Sequence, residues 1–129
     1  MKFNVDENET VININEIVVC ENMAFDAEAV ESCAVYVENY GAPPLVVNGK
    51  KLIARRNVYL ALKRLAARDF HYNTVRCVNV SASEELLEAA IAVDESMKRI
   101  AVPCSIEELE RAAIALLDKA PTPRVSFGG

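Results

Sequence analysis

Two arginines, Arg55 and Arg56, stand in "LIARRNVYLALKRL" (residues 52–65), where an apolar strand-like run gives way to helical spacing. The first turn of a helix carries backbone N–H groups with no intrahelical acceptor. Such groups attract anions, and a guanidinium adds a fork that matches phosphate oxygens. Two arginines at a helix start oppose the helix dipole by roughly a few tenths of a kcal/mol each. A nearby anion offsets that cost. It is either a bound phosphate group or one of the chain's own acids, for which Glu95 and Asp94 are the candidates. Asn57 follows directly and has the chemistry of a helix cap. Glu95 and Arg99 are spaced i, i+4, the spacing of a helical salt bridge, which alone contributes under about 0.5 kcal/mol.

Other residue types give less. The four cysteines, Cys20, Cys33, Cys77 and Cys104, contain no CxxC pair, and the single His71 has no Cys or His at ligand spacing. A zinc site is therefore not expected. The cysteines sit in apolar contexts (VVCE, VESCAV, VRCVNV), which read as buried, inert thiols. His71 lies between Phe70 and Tyr72 with no Ser or Cys nucleophile near it in sequence, so acyl transfer has no support.

The elements that must position these residues follow from periodicity and punctuation. "VININEIVVC" (11–20) is β-branched and reads as one or two short strands. "FDAEAVESCAVYVENYG" reads as a helix, with Asp26 as N-cap, Gly41 as stop, and Val30, Cys33, Ala34 and Val37 on one face. "PLVVNGKKLIA" reads as a hairpin turning at Asn48-Gly49. A helix capped by Asn57 runs to about Arg68, and "TVRCVNV" reads as a strand. Ser81 with Glu84, and Ser105 with Glu108, form two capping-box pairs that open two further helices, separated at "VPC". The result is an α+β domain over residues 1–119, with four helices and a small mixed or antiparallel sheet, followed by a flexible tail at 120–129.

Composition agrees with one folded domain. The chain has 129 residues, 52% hydrophobic and 26% charged, enough for a core without staples. The 6% aromatic content without Trp argues against a base-stacking platform. Net charge is −5, which disfavours non-specific attraction to nucleic acid or anionic membranes. Residues 1–40 hold nine acids and one base, whereas residues 50–68 hold seven bases and no acid. That basic block is either a solvated helix face or an anion site. No signal peptide and no apolar run of membrane-spanning length is evident. A cytoplasmic location with reduced thiols is the expectation.

The order of elements, "LIA" at 52–54, Ala61, the strand "VRCVNV" and "ESMKR" (95–99) together resemble the N-terminal domain of ParB proteins, of the ParB/sulfiredoxin-like superfamily. In that family the corresponding boxes are "L-I-A-G-E-R-R-x-R-A" and "E-N-x-x-R", and the resemblance covers roughly residues 13–112. It implies a ParB/sulfiredoxin-like fold and a nucleoside triphosphate site with its magnesium at Arg55, Arg56, Asn57, Glu95, Ser96 and Arg99. The chain departs from the family where Gly-Glu-Arg-Arg becomes Arg55, Arg56, Asn57 and Val58, and where Asn becomes Ser96. The glycine that eases backbone approach to a phosphate is gone, and so is the glutamate. No cysteine lies between 34 and 76, which disfavours sulfiredoxin-type chemistry.

The expected function is a stand-alone binding or regulatory module, partition-like or DNA-associated. It would act through a protein partner, with at most a weak nucleotide or phosphate site and weak direct DNA contact. One alternative is a nucleotide hydrolase or nuclease of the same superfamily. That reading needs a metal held by carboxylates, and Glu95 with Asp94 makes a thin set. Another is a structural module that dimerises through the apolar "AAIALL" helix.

Overall fold

The computed structural model describes residues 2–19, 27–96 and 105–119. Asp26, Cys20, Arg99, Cys104, the "VPC" break and the 120–129 tail lie outside the described residues. The elements are β1 (Asn4–Val5), β2 (Thr10–Asn13), α1 (Ala27–Tyr40), β3 (Leu45–Asn48), β4 (Lys51–Ala54), α2 (Arg56–Ala66), β5 (Thr74–Ser81), α3 (Glu84–Ser96) and α4 (Ile106–Lys119), with 3-10 turns at Ile14–Glu16 and Phe70–Asn73. The architecture is mixed α+β: among the described residues, four helices lie around a five-stranded mixed sheet.

β5 is the central strand. β3 pairs with it in parallel (Leu45↔Cys77), and both β1 and β2 pair antiparallel along its other side (Val5↔Val80, Val11↔Arg76). β4 returns antiparallel to β3 through the Gly49 turn, where glycine supplies φ +67°. Leu45, Val46 and Val47 are consecutive and all fully buried, so both faces of β3 are covered. On one face, Leu45, Val47, Leu52, Val75 and Cys77 pack against α1 and α2. On the other, Val46, Ile53, Ala54 and Val80 pack against α3 and α4. The chain leaving β2 crosses the first face at buried Ile14 and Ile17 and reaches the far side of β4. There the Val18 N–H donates to the Lys50 carbonyl, and the Leu52 N–H donates to the Val18 carbonyl, each at 2.8 Å.

The expected α1 face is the buried one, and α1 stops at Gly41 (φ +88°), whose N–H donates to the Val37 carbonyl. The Ser105–Glu108 capping box is present in both directions. Two expected caps are corrected. Ser81 does not open α3: it remains in β5, paired with Asn4, and Ser83 caps the helix by accepting from the Leu86 N–H at 3.2 Å. Asn57 does not cap α2 either. The helix starts at Arg56, so Asn57 is already inside its first turn.

Candidate functional site at the start of α2

β4 runs into α2 across one residue. That residue, Arg55, adopts a left-handed backbone (φ +69°, ψ +41°) and is the one non-glycine with positive φ among the described residues. A side chain in that region costs roughly 1–2 kcal/mol relative to the ordinary conformation. Arg55 is the position at which the resembled box has glycine. The backbone shape that favours glycine is adopted here by an arginine.

Left-handed Arg55 turns its own N–H and that of Arg56 toward α3. Both donate to one carboxylate: Arg55 to Asp94 Oδ1 at 2.8 Å, and Arg56 to Asp94 Oδ2 at 3.1 Å. Asp94 thus stands where a bound oxyanion would stand at this helix start, and it satisfies two of the free donors of α2. Burial pushes the Asp94 carboxyl above its ordinary range. The two N–H donors and the two guanidinium charges pull the other way without overcoming it.

The side chains turn inward too. Arg55 Nη1 donates to the Pro44 carbonyl at 2.6 Å, and Arg56 Nη2 donates to the Glu95 carbonyl at 3.3 Å. Arg56 is 6% exposed, and its Nε and Nη1 find no acceptor among the described residues. Asn57 Oδ1 is likewise buried without a donor among them. A small recess opens at this point, walled by Val19, Leu52, Ile53 and Ile91, with Arg56, Asp94 and Glu95 on its polar side.

Of the residues singled out in the sequence, Arg55, Arg56 and Glu95 come together here, Glu95 through its backbone carbonyl and at the recess wall. Ser96 donates its hydroxyl to the Val93 carbonyl of its own helix. Between Glu95 and Asp94, the acid that meets the two N–H groups is Asp94. The carboxylates do not fit a magnesium ion. Both Asp94 oxygens are engaged by N–H donors beside two arginines, and no cluster of three or more His, Cys, Asp or Glu suited to a metal occurs among the described residues.

Two of the seven bases of residues 50–68, Arg55 and Arg56, turn inward, so the block as a whole is not one exposed face. Lys50 pairs with Glu16 at the hairpin turn, Arg64 pairs with Glu31 at 2.7 Å, and Lys63 donates to Asn15. His71 is exposed, in a turn capped by Asp69, whose carboxylate accepts its N–H at 2.9 Å. No helix among the described residues is long and apolar enough to cross a membrane. No family model, no curated protein and no solved structure matches the chain.

Proposed function

We propose that this chain is a binding and regulatory module similar to a ParB N-terminal domain. In this reading it is partition-like or DNA-associated, acts through a protein partner, and has at most a weak phosphate or nucleotide site at the start of α2. One observation supports the weak-site part of the reading: the anion position formed by the Arg55 and Arg56 N–H groups is held by the chain's own Asp94. A phosphate must compete with a carboxylate already in place, so weak affinity follows. The inward turn of two of the 50–68 bases supports weak rather than tight direct DNA contact, since tight binding draws on several bases facing one backbone.

The test is a thermal-shift series with CTP, ATP, GTP and short duplex DNA, with and without magnesium, alongside a phosphate-release assay. A ligand at its own Kd stabilises by about 0.4 kcal/mol. Millimolar nucleotide is therefore expected to raise the midpoint by about 1–3 °C at most. Magnesium-dependent release that disappears in Glu95→Ala overturns the reading in favour of a hydrolase.

A further inference from the structure

We infer that Asp94 is a built-in competitor at an oxyanion site: an external oxyanion of sulfate or phosphate size is held at the start of α2 only when the Asp94 carboxylate has left it. This rests on the reading above and adds how its weak anion site is regulated.

Two independent observations meet at this place. The first is the pair of N–H donors from Arg55 and Arg56, aimed at two oxygens of one anion. The second is Arg56 itself, deeply buried on the polar side of the recess, with Nε and Nη1 lacking an acceptor among the described residues. A buried guanidinium normally has its donors filled, and unfilled ones mark a place for a water or an ion. A carboxylate has two oxygens, and here both are used on the backbone. A tetrahedral oxyanion has further oxygens, which can take the two N–H groups and still reach a guanidinium edge.

Asp94 is held at this place by those two N–H donors and by the nearby charges of Arg55 and Arg56, so an oxyanion that takes the donors competes with it directly. Charges facing it from packed elements are Arg55 and Arg56 on the β4–α2 side; Glu95 follows it on α3, and the Cys33 thiol on α1 feels its field.

The probe is sulfate, titrated at constant ionic strength against chloride at pH 7.5, read by backbone amide shifts of Arg55 and Arg56 and by the thermal midpoint. The proteins are the full chain, Asp94→Asn and Asp94→Ala. Asp94→Asn keeps the side-chain shape and protects against a folding failure of the alanine variant. The expected result is saturable binding in the variants at least about tenfold tighter than in the native chain, abolished by adding Arg56→Met. Equal affinity in native chain and variants overturns the competitor role while leaving the anion site standing. No saturable sulfate response in either folded variant removes the anion site itself, and with it the phosphate part of the proposed function. Inorganic triphosphate and CTP, compared on Asp94→Asn, separate the sources: equal binding assigns a bare oxyanion, and tighter CTP assigns a nucleotide phosphate.

Discussion

Asp94 and Arg55 are 39 residues apart in sequence, yet the Asp94 carboxylate and the Arg55 backbone N–H meet at 2.8 Å. This contact joins α3 to the beginning of α2. It does the work of a helix cap with a side chain from another element.

Removing the carboxylate leaves the Arg55 and Arg56 N–H groups without that acceptor. Asp94→Ala is expected to lower stability by about 1–3 kcal/mol. Asp94→Asn retains one acceptor oxygen and sheds a costly buried charge, so it is expected to stay within about 1 kcal/mol of the native chain. Urea denaturation at pH 7, with the m-value checked for constancy, measures both. An alanine variant as stable as the native chain counts against the cap.

The strain at Arg55 has its own signature. Arg55→Ala keeps the left-handed backbone and loses the hydrogen bond to the Pro44 carbonyl, whereas Arg55→Gly loses the same bond and relieves the strain. The glycine variant is expected to be more stable than the alanine variant by about 1 kcal/mol or slightly more. Indistinguishable melting curves for the two would mean that α2 starts in another backbone conformation.

The raised carboxyl of Asp94 sets a sign for pH dependence. A carboxyl whose folded value lies above its ordinary 3.8 contributes stability that is complete below 3.8 and is lost as pH rises through the folded value. Other carboxylates titrate in the same window, so the informative quantity is native chain minus Asp94→Asn. That difference is expected to fall as pH rises from about 4 and to level off once Asp94 is ionised. A difference that grows with pH would show that the N–H donors and arginines outweigh burial.

Burial pushes the Cys77 thiol up to about 11, and raises Cys33 as well, with the Asp94 charge adding to it. At pH 8 a thiol with such a value is thiolate roughly one part in a thousand. Alkylation followed by peptide mass spectrometry is expected to leave Cys33 and Cys77 unmodified in buffer and to label both in strong urea. Rapid native labelling of either would place it outside the core.

Local signals carried much of the fold. The α1 stripe, the hairpin at Gly49 and the Ser105–Glu108 box each lie within a few residues, and each appears in the structure. The misplaced caps have long-range causes. β5 continues through Ser81 because Asn4 pairs with it, and "MKFNVDENET" gives no strand signal strong enough to reveal that pairing. α2 starts before Asn57 because Asp94 supplies acceptors from α3. The candidate site was legible as a cluster of types, two arginines and two acids. Which acid meets which donor depends on how α3 packs over β4, a tertiary fact that no local spacing encodes. The left-handed Arg55 is unreadable for the same reason: arginine gives no hint of positive φ, and the surrounding contacts hold it there.

The short crossing that ends at Val18 bears on how copies of this chain behave toward one another. A sheet's outermost strand can template pairing with a second molecule, which leads to aggregates or exchanged strands. Beside β4, the hydrogen bonds of Val18 to Lys50 and Leu52 already fill that role. On the opposite side, the stretch between β1 and β2 carries Asp6, Glu7 and Glu9; Glu9 pairs with Arg76, and Asp6 and Glu7 present like charges that repel a matching copy. Each flank is thereby guarded by a different means, one by backbone pairing and the other by charge. Losing the Val18 pairing would leave β4 as the place where intermolecular strand growth begins.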